Sequence, residues 1–124
     1  MVDNQKLKLR LLNLNCYATE ESGYDDVYLM LNGKKIWPRK KRQRSVPIGT
    51  TPLNVEIDDL VPGTKLEIEI WDYDVISEDD NMGYIPFFID KPGGPYTTDM
   101  VADPEEAKTA RYNIEWEIDY SNPD

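Results

Sequence analysis

Apolar and polar residues alternate along most of this chain, with the period of a β-strand. In residues 6–12, Leu7, Leu9 and Leu11 interleave with Lys6, Lys8 and Arg10, which predicts a strand with one buried face. Leu12 and Leu14 then fall on the opposite parity, so a bulge or burial on both faces is expected after Leu11. Residues 26–38 predict a hairpin: two apolar runs flank Asn32-Gly33, the pair favoured where both turn positions need positive φ. In 53–58 and 65–71, Leu53, Val55 and Ile57, then Leu66, Ile68 and Ile70, share one face, and Pro62-Gly63 supplies the turn between the two runs. Residues 84–89 read as a strand that Pro86 confines to an edge or a bulge. The last run, 111–120, alternates Tyr112, Ile114, Trp116, Ile118 and Tyr120 with Asn113, Glu115, Glu117 and Asp119. One stretch, 103–110, reads as a short helix, with Asp103 as N-cap, Pro104 at the first helical position and two Glu in the first turn.

Seven to eight short strands in 124 residues predict an all-β fold, an antiparallel sandwich with one short helix near 103–110. The length suits one domain, expected over 1–120, with 121–124 as a loose tail. Residues 93–100 read as a loop without evident chemistry.

Composition narrows the chemistry. A net charge of −10 argues against nucleic acid as a partner and is compatible with binding cations. There is no His, which removes His-based triads, His zinc sites and the commonest general base. The one Cys, Cys16, forms no internal disulfide and is expected to be a buried small hydrophobe. No nucleophile motif is present, so an enzyme is not expected. No apolar run approaches membrane-spanning length, and residues 1–10 lack the apolar core of a signal peptide, so a cytoplasmic location is expected.

Acidic residues are concentrated in two loops. Residues 71–83 read WDYDVISEDDNMG, with five carboxylates in thirteen positions. If the strand ending at Trp71 continues in extended geometry, Asp72 and Asp74 share a face, and the loop returns Asp80 before Gly83 re-enters the next strand. Three converging carboxylates need a cation, and calcium, which takes six to eight oxygens flexibly, suits them better than zinc or magnesium. An EF-hand register fails, because counting from Asp72 places Ser77 where Gly is wanted. The second acidic loop is EESGYDD, residues 20–26.

The stretch EESGYDDVY, residues 20–28, resembles the first calcium loop of C2 domains, D-x-x-G-x-S-D-P-Y, and residues 71–83 resemble their third loop. The flanking runs LKLRLLNL, VYLMLNGKK and KLEIEIWDYD are similar to the family as well, so the resemblance spans roughly residues 6–90. It implies a C2-like sandwich that binds one or two calcium ions through Glu20, Asp26, Asp72, Asp74 and Asp80, with Glu78 and Asp79 as rim charges. Glu20 stands where the family prefers Asp, Asp25 where it has Ser, and Val27 where it has Pro. The middle stretch, RSVPIGTTPLNVEI, lacks the family's T-x-N-P-x-W-N pattern. Because the chain starts at the strand feeding the first loop, the last strand is expected to complete its sheet in the permuted order.

Residues 34–44, KKIWPRKKRQR, carry seven of the fourteen basic residues: Lys34, Lys35, Arg39, Lys40, Lys41, Arg42 and Arg44. Removing these seven charges from a net −10 leaves the rest of the chain at −17. The run is a patch for anionic lipid or an acidic partner protein, worth about 1 kcal/mol per basic side chain beside a membrane, or else a solvated loop. The expected function is therefore a calcium-binding module that docks to an anionic phospholipid membrane, or to a partner protein, through loops 15–26 and 72–83. Such a module would lie at the membrane periphery. The alternative is a non-enzymatic scaffold in a larger assembly, in which calcium is structural or absent.

Overall fold

The computed structural model describes residues 5–102 and 108–121. Among these, nine strands form two antiparallel sheets: β1 (Leu7–Ala18), β2 (Tyr24–Leu31), β3 (Lys34–Trp37), β4 (Arg44–Pro47), β5 (Gly49–Leu60), β6 (Thr64–Asp72), β7 (Asp80–Ile89), β8 (Gly93–Asp99) and β9 (Arg111–Tyr120). One sheet has the order β5-β1-β9-β8. The other has the order β3-β2-β6-β7, with β4 also pairing with β2. The last strand lies inside its sheet between β1 and β8, completing it as expected. Residues 93–99 are the edge strand β8 and not a loop. Most of the expected helix, 103–107, lies outside the described residues, and 108–110 are irregular. Among the described residues no helix is long and apolar enough to cross a membrane.

The parity switch in β1 is a register shift between Leu11 and Asn13 against both neighbouring strands. It lets Leu7, Leu9 and Leu11 and then Leu14 and Cys16 all face the core. Without the extra residue, the second half of the strand would turn its apolar side to water. The inward faces of β5, β6 and β9 complete the core with Leu53, Val55, Ile68, Ile70, Ile114 and Trp116. Each fully buried Leu or Ile contributes about 1.5–3 kcal/mol. Burial pushes the Cys16 thiol up, away from reactivity.

Turns position the ends. Asn32 and Gly33 take φ of 52° and 77°, the conformation a tight β2–β3 hairpin requires. Residues 61–63 carry the chain from β5 in one sheet to β6 in the other. Ser121 is packed where a loose tail was expected: its N–H donates to the Lys6 carbonyl at 2.9 Å. Residues 122–124 lie outside the described residues.

Candidate functional site

Antiparallel pairing brings the acidic loops together. Val27 pairs with Asp72, and Asp72 with Asp80, so the start of β2, the end of β6 and the start of β7 lie at one end of the sandwich. Ala18 pairs with Arg111, which brings the end of β1 and the approach to β9 to the same end. Two main-chain contacts fasten the loops. The Asp26 N–H donates to Asp72 Oδ1 at 2.9 Å, and the Tyr73 N–H donates to the Asp26 carbonyl at 2.7 Å.

Within this end, carboxylate oxygens of Glu21, Asp25 and Asp72 lie within 4.8 Å of one another. Asp25 is fully buried, at 0% exposure. It accepts the N–H groups of Glu20 and Glu21 at 2.9–3.0 Å and the Tyr112 hydroxyl at 2.6 Å. Burial first, and then the Asp25 carboxylate, push the Tyr112 phenol up, so it remains a donor. Asp72 is 5% exposed. Burial, a hydrogen bond with Glu21, and the charges of Glu21 and Asp25 push its carboxyl up to about 8, against the opposing Asp26 N–H. The Asp72 carboxyl thus holds its proton more tightly than an ordinary carboxyl, and positive charge at this end would offset the same crowding of negative charge.

Of the five carboxylates in the family motif, only Asp72 belongs to that cluster. Glu20 turns toward the approach to β9, where its Oε1 accepts the N–H groups of Thr109 and Ala110 at 3.0 and 3.1 Å. Asp26 accepts the Ser45 hydroxyl at 3.3 Å. Asp74 caps its own loop, accepting the Ile76 and Ser77 N–H groups and the Ser77 hydroxyl. Those bonds, the Ile76 N–H foremost, hold its carboxyl below the usual range. Asp80 pairs with Lys108 at 2.5 Å.

Sequence reasoning missed Glu21, Asp25, Lys108 and Tyr112. Asp25 carried a signal: it is in phase with Val27 and Leu29 on β2, so strand alternation places it on the buried face. Asp79, read as a rim charge, has a structural task, accepting the Tyr28 hydroxyl at 2.6 Å and the Asp74 N–H at 3.0 Å.

The cluster fits a hard, oxygen-seeking cation. Its donors are carboxylates without nitrogen or sulfur, a set that suits calcium and not zinc. Large apolar side chains ring the same end: Val75 and Ile76 on the β6–β7 loop are 82% and 94% exposed, and Tyr24 and Ile48 are exposed nearby, at the start of β2 and between β4 and β5. The seven basic residues of 34–44 are exposed on β3, β4 and the bend between them. Trp37, buried, anchors that run to the core. Arg42 connects the run to the acidic end, its guanidinium 5.3 Å from the Tyr73 ring centroid and its Nη1 2.7 Å from the Tyr73 hydroxyl.

No protein-family model and no curated protein matches the sequence. Solved structures do. The first C2 domain of plant extended synaptotagmin 1 superposes with a TM-score of 0.62 at 16% identity, over 98% of this chain and 97% of that one. The tandem C2 domains of extended synaptotagmin 2 give 0.62 at 17% identity, over 96% of this chain and 42% of that one. A further C2 domain gives 0.55 at 15% identity, over 95% and 99% of the two chains. The two-sheet architecture and these superpositions agree: this chain has the fold of a C2 domain, in a divergent sequence.

Proposed function

We propose that this domain docks to anionic phospholipid membranes, and that calcium bound between the 19–23 and 73–79 loops switches the docking on. The observation that carries this reading is the convergence of the Glu21, Asp25 and Asp72 carboxylates, the last two buried, at the end of the sandwich that also exposes Val75 and Ile76. Asp72 is the anchoring ligand, with Glu21 beside it and Asp26, Asp74 and Asp80 from the motif. Asp25, whose lone pairs already serve protein donors, positions the loop. A bound calcium ion supplies positive charge and further coordination positions suited to phosphate oxygens. The chain's own residues do the rest. Val75, Ile76, Tyr24 and Ile48 enter the interface, and the basic run from Lys34 to Arg44 adds attraction to anionic lipid. The reading is that of a cytoplasmic, membrane-peripheral binding module and not of an enzyme.

A second reading is favoured by the engagement of Glu20 and Asp80 with the chain's own donors. In it the domain is an assembly scaffold whose loops need no ion, and the basic run meets an acidic protein. Co-sedimentation with phosphatidylserine vesicles separates the two. The docking reading expects pelleting in millimolar calcium, loss of pelleting in chelator, and strong weakening in Val75→Glu with Ile76→Glu. No pelleting in either condition would reject it in favour of the scaffold, and pelleting that survives chelator would reject the calcium switch.

A further inference from the structure

Two of the carboxylates in the family motif are engaged here by a third segment, residues 108–110. Lys108 Nζ lies 2.5 Å from Asp80 Oδ1, and its side chain is only 12% exposed. The next two residues turn their main-chain N–H groups to Glu20 Oε1 at 3.0 and 3.1 Å. The Thr109 hydroxyl also donates to the Thr19 carbonyl at 3.1 Å, and Arg111 Nη1 donates to the carbonyls of Lys108 and Ala110 at 3.2 and 2.8 Å. The segment thus spans the two acidic loops. It sets a full positive charge against one loop and two amide dipoles against the other.

An ammonium and a divalent cation use the same carboxylate lone pairs. We propose that Lys108 is a tethered counter-cation that competes with free calcium for Asp80 and so sets the calcium affinity of the loop site. The inference rests on the cation reading given above. Being part of the chain, the ammonium is held beside Asp80 without being captured from solution, an advantage that a free ion must overcome. It follows that Lys108 acts with opposite sign on two observables. Without calcium it relieves repulsion at the acidic end and stabilises the fold. With calcium it is a competitor. A lysine with only a structural role would lower stability on removal without tightening the binding of an ion.

The test is calcium titration by calorimetry on the full chain, for wild type, Lys108→Gln and Lys108→Arg, alongside melting in chelator. Lys108→Gln is expected to melt lower without calcium and to bind calcium about tenfold more tightly, the factor that 1.4 kcal/mol of lost competition represents. Lys108→Arg, which keeps the charge, is expected to stay near wild type in both. Equal or weaker binding in Lys108→Gln overturns the inference and leaves the cation reading standing. Binding in Lys108→Gln but not in the wild type supports the inference and overturns calcium-dependent docking of the native chain. No binding in either overturns both.

Discussion

Adjacent aspartates, Asp25 and Asp26, have opposite roles in this structure, and substituting each in turn separates them. Asp25→Ala removes a fully buried carboxylate that serves the Glu20 and Glu21 N–H groups and the Tyr112 hydroxyl. Hydrogen bonds to a charged group contribute about 1.5–3 kcal/mol each, and a buried donor left alone adds its desolvation cost. The two N–H groups belong to an exposed turn that water can reach once the carboxylate is gone. Tyr112 is buried in β9 and cannot be rehydrated in place. Relief of repulsion with Glu21 and Asp72 offsets part of the loss. The net cost is then dominated by Tyr112 and comes to about 3 kcal/mol, or a fall in Tm on the order of 10 °C for a domain of this size. Asp26→Ala removes only a side-chain bond from Ser45 at 3.3 Å, and its two main-chain contacts to residues 72 and 73 survive the change. Its expected cost is under about 1 kcal/mol. Thermal melts followed by circular dichroism in chelator read both variants. Tyr112→Phe, which leaves Asp25 in place but takes away one donor, should lose about 1.5–3 kcal/mol. Equal melting temperatures for Asp25→Ala and Asp26→Ala would refute the assignment of Asp25 as the residue that shapes the loop.

Strand periodicity made the core legible, because a strand with one wet face must alternate. The shifted parity of Leu12 and Leu14 foretold the bulge that the β1 register shows. Spacing in the acidic loops likewise placed both at one end, and Asp72 emerges from both readings. The pairing of carboxylates with their partners was not legible. Glu20 meets Thr109 and Ala110 across a sequence separation that the β1–β9 pairing closes, and Asp80 meets Lys108 only because the two sheets pack together. Motif spacing singled out Asp26 and passed over Asp25, whose role comes from the alternation of β2: it buries Asp25 beside Asp72 and leaves Asp26 half-buried. Where motif and periodicity disagree within a strand, burial follows periodicity, since one residue of slip would expose Val27 and Leu29.

Two further outcomes follow from the same geometry. Gly83→Ala should cost more than Gly33→Ala: a Cβ at Gly83 meets the Val101 carbonyl at 2.5 Å and Met100 Cγ at 2.9 Å, while Gly33 has no atom within 4 Å. The hydrogen bonds that tie Tyr84 to Val101 make that approach hard to relax, so about 2–3 kcal/mol is expected at Gly83 against about 1 kcal/mol of conformational strain at Gly33, and equal denaturation midpoints would count against the close approach. The second outcome concerns pH. Asp72 is raised in the folded state to about 8 from the ordinary 3.8, so between those values the native chain keeps a proton that the unfolded chain has released. Its contribution to stability is therefore fully present below the unfolded value and is lost as pH rises toward the folded one, with a slope of up to about 1.4 kcal/mol per pH unit. In chelator, Tm should fall from pH 5 to 8 in the wild type, and Asp72→Asn should flatten that fall. Calcium, which takes the carboxylate in its deprotonated form, should flatten it too, because the ion replaces the proton as the source of positive charge. Parallel pH profiles for the wild type and Asp72→Asn would mean that the proton sits elsewhere, and the carboxylate cluster would then lose the electrostatic reason to recruit a cation.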